Sequence, residues 1–127
     1  MITLTLSTRK RNEFVDITPA VAQAIKDVKD GVVTIYTPHT TSAITINENT
    51  DPAVPRDILA TLEWLIPHNG DYHHSEGNSD SHLKASLVGS SAQVIVKDGE
   101  LVLGTWQGIF FCEFDGPRTR KVHVHCR

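Results

Sequence analysis

Several things are scarce in this chain. Its 127 residues include only two cysteines, Cys112 and Cys126, and no C-x-x-C pair. That excludes a disulfide-built scaffold and a zinc ribbon. No apolar run approaches the ~20 residues needed to cross a bilayer, so no membrane association is expected. The first residues, MITLTLSTRKRNEF, lack the basic start and apolar stretch of a secretory leader, and a cytoplasmic protein is expected. A basic excess is also missing. Twelve Lys and Arg stand against fifteen Asp and Glu, a formal net charge of −3, which argues against a general nucleic-acid binder.

What remains is the composition of a soluble globular chain, 39% apolar and 21% charged. Its length suggests a single domain over residues 1–127. The segment ITLTLST (2–8) alternates as a half-buried strand does, and EFVDI suggests a second. TPAVAQAIKDVKDG reads as a helix, with Thr18 as cap, Pro19 in the first turn and Gly31 as stop. Residues 32–38 and about 42–48 are β-branched strands. A second helix follows Asp51 and Pro52, with Ile58, Leu62, Leu65 and Ile66 at helical spacing. HLKASLVG is a short third helix. Asp98-Gly99 marks a tight hairpin turn between QVIV and LVLG, and GIFFCEF and KVHVHCR are further strands. The order is mixed, not regularly alternating, which points to a mostly antiparallel α+β domain with two or three helices on its sheets.

Polar chemistry is concentrated in three places. In HTTSAITINENTDP (39–52), alternation puts Ile44, Ile46 and Glu48 on one face. Glu48 is then either an inward carboxylate needing a partner or a solvated strand end. Residues 67–81 are almost free of aliphatic side chains, and loops this long usually carry function or are disordered. With His39, the histidines His73, His74 and His82 could supply the three imidazoles of a catalytic zinc centre; imidazole also suits other transition metals. A wet polar loop is the plainer alternative. In EFDGPRTR, Arg118 and Arg120 alternate along one face. Two adjacent guanidinium groups repel unless an anion lies between them, and their donors fit phosphate or carboxylate. His123 and His125 read as a solvated face, Cys112 as a core thiol, and Trp106 as a core anchor between Gly104 and Gly108.

Together, HTTSAITINEN with DP, GDYHH, SHLKASLVG and GELVLGTWQGIFFCEFDGPRTRK resemble the YjbQ-like family, whose members are often labelled secondary thiamine-phosphate synthase. The resemblance spans nearly the whole chain. It implies a compact α+β sandwich, a homotrimer with sites near subunit contacts, and a divalent metal, zinc first and magnesium second, on His39, His74 and His82. It implies a phosphorylated small-molecule substrate, and places Asn47, Asp51, Trp106 and Gln107 with Arg118 and Arg120 in its binding. Glu48, Arg118 and Arg120 are the expected catalytic groups. The reaction so implied joins hydroxymethylpyrimidine pyrophosphate to a thiazole phosphate. A metal-dependent hydrolase of a phosphoester or amide, or a trimeric binding protein without turnover, would use the same residues.

Overall fold

A computed structural model describes residues 1–127. The elements in chain order are β1 (Ile2–Ser7), β2 (Glu13–Asp16), α1 (Thr18–Ala24), β3 (Gly31–Tyr36), β4 (Ser42–Glu48), α2 (Ala53–Leu65), α3 (Ser79–Val88), β5 (Ser91–Lys97), β6 (Glu100–Leu101), β7 (Gln107–Glu113) and β8 (Thr119–Cys126). They form two sheets, one ordered β1-β8-β3-β5-β6 and one ordered β2-β7-β4. Every pairing is antiparallel. The α+β sandwich expected from the sequence is the fold observed.

Period-two alternation builds the core between the sheets. Val33 and Ile35 of β3, Val94 and Val96 of β5, and Val122 and Val124 of β8 point inward from the larger sheet. Ile44 of β4 and Ile109 and Phe111 of β7 meet them from the smaller one. Val21 and Ile25, from α1 and the turn after it, join the same cluster. The other face of the small sheet carries Ala43, Phe110 and Cys112, packed with Phe114 under Leu62 of α2 and Ala85 of α3. Cys112 is thus a core thiol, and burial pushes its pKa well above the ordinary range. The two helices that flank the polar loop are therefore seated on one side of the domain.

Local chemistry sets the ends of the elements. The Asp98-Gly99 turn has positive φ at both residues, 51° and 78°, as a two-residue hairpin requires. Thr18 is not a cap: it is the first residue of α1, and its N–H and hydroxyl both donate to Asp16 Oδ1. α1 also ends at Ala24, well short of Gly31. In α2, Asp51 Oδ1 accepts from the N–H of Ala53 at 2.9 Å, so the expected cap acts one residue outside the assigned one. α3 begins at Ser79, three residues before the segment read as helical, because Asp80 and Ser81 are fully buried and anchored to other elements.

Candidate functional site

His39 lies in the turn between β3 and β4. That turn is tied by the Thr37 and Ser42 hydroxyls, 2.7 Å apart. The backbone N–H of Lys121 donates to His39 Nε2 at 2.9 Å, which makes that nitrogen an acceptor. Desolvation and the nearby Arg120 cation both hold the His39 pKa below its ordinary value of 6.5. The ring is therefore neutral near pH 7. His82 sits in the first turn of α3, half-buried, with neither ring nitrogen hydrogen-bonded within the chain.

Three adjoining cavities share His82. One of about 350 Å³ is lined by Pro38, His39, Thr40, Thr41, Glu76, Asn78, His82, Asp115, Arg118 and Arg120, with the Pro38 ring its one apolar side chain. A second, about 550 Å³, also carries both His39 and His82. The third, about 380 Å³, runs past Tyr72, His73 and His74. The His74 and His82 rings meet edge to face with centroids 5.3 Å apart. No three His, Cys, Asp or Glu side chains come within reach of a common ion, however. His74 and His82 are neighbours, and His39 joins His82 around a cavity, but the three-imidazole set is not assembled as placed.

The arginines are brought together, and the anions beside them belong to the protein. Arg120 is 3% exposed; its Nε donates to Glu113 Oε1 at 2.9 Å and its Nη2 pairs with Glu113 Oε2 and reaches Thr41 Oγ1 at 2.8 Å. Glu113 is fully buried and also accepts from Thr8 Oγ1 at 2.6 Å. Arg118, half-exposed, uses Nε and Nη2 on the carbonyl and carboxylate of Asp115. Asp115 in turn accepts from Asn78 Nδ2 at 2.9 Å. Each guanidinium still keeps Nη1 without a protein acceptor. Gly116 allows this crowding, since a Cβ there would lie 2.3 Å from the Lys10 carbonyl oxygen.

The remaining expected residues lie elsewhere. Glu48 pairs with Gln107 at one end of the β4–β7 ladder, whereas Ser42, beside His39, pairs with Glu113 at the other. Six strand steps at about 3.3 Å separate them by ~20 Å. Glu48 is not an inward carboxylate at the histidines; its Oε2 accepts from the N–H of Asp51 at 3.2 Å. Asn47 and Asp51 share that far end and bond locally. Trp106 is not a core anchor, being 59% exposed, and Gln107 folds back to accept from the N–H of Gly104 at 2.8 Å.

A fourth group escapes notice in the sequence. Lys84 is 1% exposed and Asp80 fully buried. Lys84 Nζ donates to Asp80 Oδ2 at 3.0 Å and to Glu63 Oε2 at 2.5 Å. Arg11 grips both Asp80 oxygens at 3.0 Å. Burial alone would raise the Asp80 pKa, but these cations outweigh it and bring it down to about 2. The i,i+4 spacing of Asp80 and Lys84 is the available signal.

The architecture and motifs match known proteins over the full chain. The model of the UPF0047 protein YjbQ-like family fits residues 2–127. This chain belongs to the YjbQ-like family. It is 59% identical over 121 residues to a UPF0047 protein of Methanocaldococcus jannaschii, covering 94% of this chain and 88% of that protein. It is 50% identical over 126 residues to UPF0047 protein YugU of Bacillus subtilis, covering 96% and 95%. A solved YjbQ/UPF0047 structure from Clostridium acetobutylicum superposes with a TM-score of 0.98 at 53% identity, covering all of both chains. A conserved hypothetical protein from Thermus thermophilus superposes at 0.95 with 39% identity, again over both whole chains. As a YjbQ-like fold, the chain has no helix long and apolar enough to cross a membrane.

Proposed function

We propose that the polar cavity between the β3–β4 turn, the start of α3 and the approach to β8 binds a phosphorylated small molecule, and that the chain is an enzyme acting on it. One observation carries this reading: His39 and His82 share a cavity with Arg118 and Arg120, in which Pro38 is the one apolar side chain. An apolar lining is the usual pattern for small-molecule sites; the polar lining here favours a highly polar ligand, and the two arginines favour an anionic one. The free Nη1 of each arginine would meet phosphate oxygens and stabilise charge building on a leaving group. His82, with no partner inside the chain, is the group placed to move a proton, while the neutral His39 ring, its Nε2 engaged by the Lys121 N–H, offers Nδ1–H as a hydrogen-bond donor. Glu48 takes no part at this cavity. Thiamine phosphate synthesis is the named candidate reaction, with pyrophosphate as the leaving group.

The test is product analysis with phosphorylated substrates, alone and in pairs. His82→Ala should lower turnover by roughly 100-fold or more with unchanged thermal stability; full activity in that variant refutes the assignment. Turnover of a single phosphoester or amide, needing no second organic substrate, would make the protein a hydrolase. A ligand bound tightly and recovered unconsumed would make it a binding protein.

The adjacency of His74 and His82 favours a second, narrower reading in which a divalent ion, zinc before magnesium, is held by this pair with His39 swung in as third ligand. In that reading His82 and His39 would be ligands and not proton carriers, and His39 would give up the Lys121 N–H bond to its Nε2. Elemental analysis of the purified protein and of His82→Ala decides it: stoichiometric metal lost on substitution supports the ion, and its absence from the parent protein refutes it. A homotrimer accompanies this family reading, and a solution mass equal to one chain would refute it.

A further inference from the structure

A separate cavity of about 380 Å³ runs along the β2 edge, between that strand and the first turns of α2. It shares no residue with the three histidine cavities. Two cations line it, Lys10 and Arg56, and neither has a carboxylate within ion-pair distance or a side-chain hydrogen bond. The chain's other cavity-lining arginines, by contrast, are paired with Asp or Glu. Two carboxylates, Glu13 and Asp16, line the same space. They are oriented by neutral donors: Glu13 by the N–H of Arg9 at 2.6 Å, and Asp16 by Thr18 and Asn49. Neither carboxylate has a cation within ion-pair distance. The floor is aromatic, from Phe14 and Phe110, whose ring centroids lie 5.6 Å apart. Asn12 also lines the cavity, its amide oxygen enclosed and without a donor from the protein.

We propose that this cavity binds a small zwitterion with an apolar body, of the chemical class of a free amino acid with an aromatic or aliphatic side chain. Net charge around the cavity is zero, two cations against two carboxylates, so a simple anion gains little there. A ligand carrying one charge of each sign satisfies both sets at once. The carboxylate meets Lys10 and Arg56, the ammonium meets Glu13 and Asp16, and the apolar body lies on Phe14 and Phe110. The volume suits a ligand of this size, near the lower end of the ~300–1,000 Å³ range of small-molecule sites.

The experiment is amide NMR titration of the full chain with L-phenylalanine. Phenethylamine, lacking the carboxylate, and 3-phenylpropionate, lacking the ammonium, serve as half-ligands. Saturable shifts at Phe14, Arg56 and Leu59, with each half-ligand about ten-fold weaker or worse, support the proposal. Arg56→Ala should weaken L-phenylalanine to a similar degree, and Glu13→Gln should do so while leaving the 3-phenylpropionate response unchanged. No saturation at millimolar ligand, half-ligands that bind equally well, or shifts confined to residues around His39 and His82 would each overturn it.

Discussion

Replacing Asp80 by alanine is the sharpest perturbation of the fold that holds the candidate site. Its carboxylate is the shared acceptor of Lys84 and Arg11. The Lys84 ammonium is 1% exposed and would be left with Glu63 alone, a residue whose side chain is 47% exposed. Removing one partner of a buried pair costs about 3–5 kcal/mol because the other charge stays desolvated. Arg11, with 29% of its side chain exposed, can turn to water and adds little. The expected loss is therefore carried by the lysine, about 3 kcal/mol, or a fall in Tm on the order of 10 °C. Urea unfolding of the parent and of Asp80→Ala, with Lys84→Met and the double variant completing a cycle, measures it. Lys84→Met should cost less than Asp80→Ala, since Asp80 keeps Arg11. The pH dependence is an internal check. A carboxylate held at about 2 against an ordinary 3.8 contributes stability that is complete above pH 4 and lost as pH falls through about 2. The depression corresponds to roughly 2 kcal/mol, and this acid sensitivity should be absent in Asp80→Asn. A loss below about 1 kcal/mol in Asp80→Ala, typical of an exposed pair, would refute the reasoning.

Three further outcomes are expected. Gly108→Ala would put a Cβ 2.4 Å from Asn49 Nδ2 and 2.7 Å from its Cβ, costing about 1–3 kcal/mol of overpacking; Asn49→Gly in the same chain, which removes that Cβ as well as the amide, should restore part of it by calorimetry. Cys112 should resist iodoacetamide in the native state and react on unfolding, because burial keeps its thiol protonated; mass spectrometry of the labelled peptide reads this. The His39 ring should titrate by NMR below 6.5, with desolvation as the main cause, and Arg120→Met should move that titration upward.

The strands are legible because the large sheet buries one face and advertises it, Val122 and Val124 alternating inward, and because β4, though covered on both faces, keeps its larger apolar residues Ile44 and Ile46 on the inner one. The Asp98-Gly99 turn is legible because its backbone demand is local. Less local determinants are hidden. Glu48 follows the inward alternation, yet the strand ends there and the chain turns to Asp51. The repulsion between Arg118 and Arg120 is visible in the spacing, but nothing in it assigns them Asp115 and Glu113, which lie three and seven residues before their respective partners and offset it. Trp106 carries the composition of a core residue and the position of a loop residue. For the histidines, sequence proximity of His74 and His82 becomes spatial proximity; the placement of His39 depends on the β3–β4 turn and on Lys121 from a distant strand.

The buried ammonium of Lys84 has a mechanical consequence for the polar loop. Glu63 stands on the helix before that loop and Asp80 on the helix after it, and both grip the same nitrogen. The loop is thus a span pinned at its two abutments. Whatever play it has must collect in its middle, at His73 and His74, while His82 beyond the second pin stays put.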